Sequence, residues 1–238
     1  MRVLVTGAAT SVGQVLAQGL QGEHELQLTD RQTVTTELPF TVGDLRDPAF
    51  AGRIVQGVDA IVHLPVLPHL ADEAERLDEA MRGTYHLLHA AVAAGIARCV
   101  LVSSLAVMAG YPADFVVTEE WKPKPSLTDD GLAYYLSELV AREFARATPL
   151  EVICLRLGKL VREEAVRDKP FDPLWLDERD AVQAVRTALT ASGERRRHRY
   201  RWRVFHIAPD HPQARFGNEA AKRSLLQFHP QHNFTATR

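Results

Sequence analysis

The sequence predicts a doubly wound α/β fold, one parallel sheet covered by helices on both faces with a small C-terminal portion beyond it. Three observations predict it. Short, almost wholly apolar runs at 3–5, 59–64, 99–104 and 151–157 read as strands buried on both sides. Stretches with apolar residues at helical spacing separate them, so strand and helix take turns along the chain. Right-handed crossovers then bring every strand's C-terminal end to one edge, and that edge collects Gly7, Asp30, Asp44, His63 and Ser104.

The first unit is RVLVTGAATSVG, residues 2–13. An apolar strand (Val3, Leu4, Val5) breaks at Thr6-Gly7, and a helical pattern (Val12, Val15, Leu16, Leu20) starts at once. The first turn of that helix presents unpaired N–H groups and the positive end of its dipole, which suits a pyrophosphate. Gly7 permits the sharp turn, and Gly13 lets the helix pack closely on the sheet. The usual middle glycine of such a turn is Thr10 here, which narrows the room but brings a hydroxyl able to donate. The next strand, 25–29, ends at Asp30. A carboxylate there can accept both hydroxyls of an adenosine ribose and would repel a 2′-phosphate, favouring NAD over NADP.

Farther on, a short strand at 40–42 runs into Gly43-Asp44-Leu45, and Asp47-Pro48 opens a helix through Ile54 as N-cap and first helical residue. Strand 59–64 is closed by Pro65 and Pro68. A long helix over 71–94 is expected, with Leu77, Met81, Tyr85, Leu88 and Val92 on its buried face and Gly95 as its stop. After strand 99–104 comes an irregular, proline-bearing stretch to 130, then a helix over 132–146, strand 151–157 and a helix over 177–189. An arginine run from 195 leads into alternation through 207, Tyr200, Trp202, Val204 and His206 against Arg201, Arg203 and Phe205, which reads as an edge strand with one wet face. A last helix is expected over 218–226.

Composition narrows the function classes. With 46% hydrophobic residues, 24% charged residues and a net charge of −2, the chain is an ordinary globular protein and no general polyanion binder, so no nucleic-acid partner is expected. No run approaches the roughly 18–20 apolar residues of a membrane span. Met1 leads straight into a strand without a secretory signal, so the cytoplasm is the expected compartment. Cys99 and Cys154 sit inside apolar runs and read as small buried hydrophobes; no metal site is expected.

TGAATSVG, GDLRD, DAIVHL, RGTYHLLHAA, RCVLVSSLAV and YYLSELVAREFA followed by EVICLRLGKLV stand in this order over roughly residues 1–228. Together they resemble the extended short-chain dehydrogenase/reductase superfamily, in its NAD-dependent epimerase/dehydratase branch. The resemblance implies a Rossmann fold over 1–238, with roughly 160–238 supplying a trimmed substrate side. It implies NAD bound by Gly7, Thr10, Ser11, Val12 and Gly13 in the turn, by Asp30 and Arg31, by Asp44 and Leu45 at the adenine, and by His63 and Leu64, the histidine through its backbone. A small, sugar-like, hydroxyl-bearing substrate is implied, and a homodimer through the helices before Gly95 and around Tyr134.

In that superfamily a serine orients the substrate hydroxyl, a tyrosinate takes its proton, and a lysine four residues later holds the nicotinamide ribose and lowers the tyrosine pKa. By motif the serine is Ser104 and the tyrosine Tyr134, but the lysine position is Glu138. The asparagine that usually precedes RGT is Ala80. A register using Tyr135 would put Leu139 in the lysine's place. Tyr134 and Glu138 share a helix face, so the carboxylate is expected to raise the phenol's pKa. Two readings follow. One is an enzyme that has moved its cation to Lys159, Arg142 or Arg156, with Arg156 and the arginines after Glu194 also candidates to hold an anionic part of the substrate. The other is a catalytically degenerate NAD-binding sensor or interaction module.

Overall fold

The computed structural model describes residues 1–127, 130–191 and 201–235. Seven parallel strands form the sheet: β1 (Arg2–Thr6), β2 (Glu25–Asp30), β3 (Phe40–Val42), β4 (Ala60–His63), β5 (Arg98–Ser104), β6 (Glu151–Leu157) and β9 (Trp202–Ile207), in the order β3-β2-β1-β4-β5-β6-β9. Between β6 and β9 the chain adds a two-stranded parallel ribbon of β7 (Lys159–Val161) and β8 (Trp175–Asp177). These three-residue strands are too short for sequence alternation to reveal.

Alternation along the central strands feeds two cores. Val3 and Val5 of β1 join Val100, Ile153 and Leu155 under α1 (Ser11–Leu20) and α6 (Glu178–Thr190). Leu4, Ile61, Leu101, Val152 and Cys154 face α2 (Pro48–Ile54), α4 (Thr84–Ala93) and α5 (Gly131–Ala147). Both cysteines are free and buried, as expected. The strand order reverses at β1, where β2 and β4 flank it, so a crevice opens at the C-terminal ends of these strands beside the Gly7 turn.

The expected helix over 71–94 is not one helix. Asp72 caps α3 (Glu73–Asp78), a π-helical turn follows at Glu79–Gly83, and α4 continues from it. The wider turn rotates the downstream face, and the buried residues become Ala80, Thr84, Leu87, Leu88 and Ala91. Met81 and Tyr85, expected inside, are 45% and 47% exposed. Such turns insert one residue into the i to i+4 ladder. Here the insertion turns Glu79 inward against Gly83, where an added Cβ would meet Glu79 Oε1 at 2.9 Å.

The arginine-rich edge is partly seen. Its strand is Trp202–Ile207, paired in parallel with β6, while 192–200 lie outside the described residues. The wet face is incomplete, because Phe205 is buried along with His206 and Ile207. The last helix is the shorter α7 (Glu219–Arg223); Phe228 N–H folds back onto the Ala221 carbonyl at 3.1 Å, with Gln227 at φ +44° making the reversal.

Candidate functional site

The turn after β1 is built from backbone constraints. Gly7 has φ +68°, a region that favours glycine, and a Cβ at Gly13 would collide with the backbone of Gly7 and Ala8. Thr10 is the N-cap of α1: its hydroxyl accepts from Gly13 N–H at 3.0 Å and donates to the Gly7 carbonyl at 2.7 Å. That hydroxyl is therefore committed within the turn and is not offered to a pyrophosphate. Gln14 N–H bonds the Thr10 carbonyl. Among the described residues the amides of Ser11 and Val12 have no such acceptor, which leaves two donors at the positive end of α1.

Asp30, 4% exposed, closes the other side. Its Oδ2 accepts from Ala9 N–H at 2.9 Å and its Oδ1 from Gln32 N–H at 3.1 Å. The turn, the free amides and this carboxylate fit a dinucleotide's pyrophosphate and ribose. Leu64 and Leu45 are buried beside them. His63 is a structural bridge: Nδ1 pairs with Thr6 Oγ1 at 2.6 Å and Nε2 with Thr84 Oγ1 at 2.9 Å. Burial holds its pKa down at about 3, so the ring is neutral.

Asp44, expected free for an adenine amine, is engaged with Arg46 through hydrogen bonds of 2.6 to 3.1 Å, and Arg31 Nε stands 3.4 Å away. Burial pushes the Asp44 pKa up, but the Arg46 bonds and charge outweigh it and the net shift is downward. Arg31 also pairs with Glu75 at 2.7 Å and approaches Glu79 at 3.7 Å. Glu79 is 3% exposed, and burial, reinforced by the charge of Asp44, pushes it up to about 7. Glu79 was not anticipated, because its inward direction depends on the π-turn.

At the catalytic end, Ser104 closes β5 and its Oγ accepts from Ala106 N–H at 3.1 Å, capping the 3₁₀ turn Leu105–Met108. Tyr134 packs against the cluster of Leu105, Val107 and Met108 on one side and against Val66 and Ala80 on the other. Motif serine and motif tyrosine thus reach the same corner of the molecule. Burial first, and the Asp130 charge second, raise the Tyr134 pKa well above its ordinary value.

Glu138 is not a cause of that rise, contrary to expectation. Its carboxylate turns into the sheet, where Oε2 meets Arg156 Nη2 at 2.7 Å and Oε1 accepts from Arg156 Nε at 2.9 Å and from Ser103 Oγ at 2.6 Å. It faces Ser103, on the opposite side of β5 from Ser104. Arg156, expected to be a relocated cation or a substrate anchor, is 3% exposed and spent on this pair; its Nη1 adds contacts to Met108 Sδ at 3.3 Å and His206 Nε2 at 3.4 Å. Arg142 bonds the neighbouring Glu143 and Lys159 is exposed on β7. Arg201 caps the Thr148 carbonyl, and Arg203 stands 3.5 Å from Glu151. Two more polar residues were not read as part of the site: His206, buried and held neutral at about 3 by burial and by Arg156, and the half-buried Glu119, whose Oε1 accepts from His206 N–H at 2.8 Å. Among the described residues no group of His, Cys, Asp or Glu could hold a metal ion.

Comparison with known proteins places this geometry. Residues 3–173 match the NAD dependent epimerase/dehydratase family. An L-arabinose 1-dehydrogenase (NAD(P)(+)) of Haloferax volcanii is 28% identical over 217 residues, covering 80% of this chain and 83% of the relative. A uronate dehydrogenase of Pseudomonas syringae pv. tomato is 28% identical over 193 residues, covering 79% and 69%. Among solved structures, a tyrosine-to-alanine mutant of uronate dehydrogenase from Agrobacterium tumefaciens complexed with NAD superposes with a TM-score of 0.83 at 24% identity, over 97% of this chain and 84% of that one. The structural likeness is one of fold.

Proposed function

Because the chain belongs to the NAD-dependent epimerase/dehydratase family, within the extended short-chain dehydrogenases/reductases, we propose that it is an NAD-dependent oxidoreductase acting on a small, hydroxyl-bearing, sugar-like substrate. The observation that carries this reading is the Gly7 turn facing the buried Asp30 carboxylate, in a chain whose relatives include sugar dehydrogenases. The amides of Ser11 and Val12 would hold the pyrophosphate and Asp30 the adenosine ribose, with Arg31, Asp44 and Leu45 toward the adenine and the backbone of His63 and Leu64 also in contact. When bound, the nicotinamide supplies the hydride acceptor.

The substrate hydroxyl sits between Ser104 and Tyr134. Ser104 would orient it, and Tyr134 would take the hydroxyl proton while the carbon that bears the hydroxyl gives up hydride. Glu138 serves as the strut that fixes Arg156 between α5 and β6. Since burial and Asp130 keep the phenol protonated at neutral pH, turnover should climb through the alkaline range without a plateau near pH 7. The described residues from roughly 160 onward supply the substrate side. The exposed Met81 and Tyr85 of the π-turn and α4 supply an apolar patch for a homodimer, and two free thiols suit the cytoplasm.

The test is formation of reduced nicotinamide, followed by absorbance, over a panel of aldoses and uronic acids. Tyr134→Phe and Ser104→Ala should each abolish it while leaving NAD binding by calorimetry intact. Unchanged rates in both variants would remove these residues from the mechanism, and binding without turnover of any sugar would favour the non-catalytic reading.

A further inference from the structure

The crevice that fits the dinucleotide is filled by the chain itself. Between the end of β4 and the start of α3, residues 65–70 cross the C-terminal edge of the sheet and descend onto the Gly7 turn. Val66 and Leu67 are 2% and 3% exposed. A Cβ built on Gly7 would meet Leu64 Cβ at 2.7 Å and Leu67 Cδ2 at 3.4 Å. His69 reaches farther: the residue as a whole is exposed, but its side chain is only 21% so, and Nε2 stands 3.3 Å from Oδ1 of Asp30, whose side chain is fully covered. The space left among Gly7, Asp30, Leu45, Leu64, Leu67 and Glu79 is about 10 Å³. Small-molecule and cofactor sites occupy roughly 300 Å³ or more, so the space beside this segment is a small fraction of what an adenosine needs.

The backbone of the segment is bonded mainly at its two ends. Leu64 N–H makes the last bond to β1, a long one of 3.4 Å to the Thr6 carbonyl. Beyond it the backbone bond found among the described residues is internal, Leu70 N–H to the Leu67 carbonyl at 3.0 Å. Pro65 and Pro68 donate nothing and stiffen the stretch between. Its far end is tied: Arg76 of α3 bonds the carbonyls of Leu70 and Ala71 at 2.7 and 3.1 Å, and its Nε bonds Asp130, at the start of α5, at 2.9 Å. The contacts onto the crevice are made by Pro65, Leu67 and His69, while Val66 packs away from it against Ala80, Ala133 and Tyr134.

We propose that residues 65–70 are a latch that occupies the adenosine seat, His69 standing against Asp30 where the ribose hydroxyls would bind and Leu67 lying over the Gly7 turn, so that the cofactor enters only by displacing it. The proposal rests on the cofactor reading above. The latch closes the crevice without ligand, and the Arg76 tie connects its position to the helix that carries Tyr134. Apparent affinity is reduced by the fraction of molecules that are latched.

Stopped-flow binding of reduced NAD, read by nicotinamide fluorescence on the full chain, tests this independently of turnover. Wild-type rates should level off with rising cofactor concentration, at the rate of latch opening. His69→Ala and Leu67→Ala should each raise that ceiling and tighten binding, by a factor of roughly five, with melting curves recorded to verify folding. Rates that rise linearly in the wild type and match in both variants would overturn the latch while leaving cofactor binding in place. A ceiling that neither variant moves would overturn the assignment of His69 and Leu67. Absence of binding in all three proteins would overturn the cofactor reading and the latch with it.

Discussion

Glu79 and Glu138 are equally buried, at 3% exposure each, and the π-turn that carries the first packs against the helix that carries the second. Their surroundings are opposite. Glu138 receives two nitrogens of one guanidinium and the Ser103 hydroxyl, all between 2.6 and 2.9 Å. Glu79 has guanidinium nitrogens at 3.4 and 3.7 Å, neither in hydrogen-bonding geometry, and its Oε2 is buried with no hydrogen-bond partner. Arg31 and Arg46, which approach it, are shared with Asp44, Glu75 and, for Arg46, Asp78. A buried carboxylate is thus defined by how completely one cation is dedicated to it, and burial alone says little about its charge.

The largest effect should come from breaking the dedicated pair. Arg156→Ala leaves the Glu138 carboxylate buried without a counter-charge, and removing one partner of such a pair costs about 3–5 kcal/mol. Thermal unfolding should fall by roughly 10 °C in a chain of this size. The double variant Glu138→Leu, Arg156→Met removes both charges and should lose much less. If the single and double variants unfold alike, the pair is not the strut described above. The same geometry predicts that Glu138→Lys, which would restore the superfamily's usual residue, destabilises the protein by setting a second cation against Arg156, so it does not by itself rebuild a catalytic site.

Next is the uncommitted glutamate. Its folded pKa of about 7 lies above the ordinary 4.5, so between those values the native state binds more protons than the unfolded chain. Stability must then fall as pH rises from about 4.5 to about 7, and the whole penalty is present above that. Glu79→Gln should remove this slope and stabilise the protein at pH 8 by up to about 3 kcal/mol, measured by denaturant unfolding at several pH values. A variant that is destabilised at pH 8 would mean that Glu79 is charged and well paired, and the contrast with Glu138 would vanish.

The two residues also show what the sequence could and could not reveal. The alternation of strand and helix and the turn at Gly7, with Asp30 at the next strand's end, were legible because each follows from local demands: apolar periodicity, a positive φ, a close helix–strand approach, a strand end. Glu138 was legible as a departure from a motif, but its partner was not named. A signal existed, since Ala141 and Ala145 share its side of α5 and Cys154 alternates onto the same face of β6 as Arg156. Opposite charges on two facing buried stripes have little alternative but to pair. Glu79 left no such trace. A helix read at 3.6 residues per turn over 71–94 puts Met81 and Tyr85 inside, and the one extra residue of the π-turn reverses that order. The side-chain engagement of Thr10 and Asp44, and the descent of residues 65–70 onto Asp30, are tertiary and carry no period at all.

The smallest effect sharpens the comparison from the other side. Asp44 raises the pKa of Glu79 by its own negative charge and by a side-chain hydrogen bond, and it holds Arg46 with bonds as short as 2.6 Å. Asp44→Asn weakens both. The like charge disappears, and Arg46, whose Nε already stands 3.4 Å from Glu79 Oε2, is released to close on it. Both changes favour the carboxylate, so the Glu79 pKa should drop below about 7 by up to roughly one unit. The pH at which stability stops falling should move down by the same amount, with about 1 kcal/mol or less at stake. An upward move would show that Asp44 had been supporting the Arg46–Glu79 approach, and the shared arginines would then be acting as one network in which no carboxylate can be relieved at another's expense.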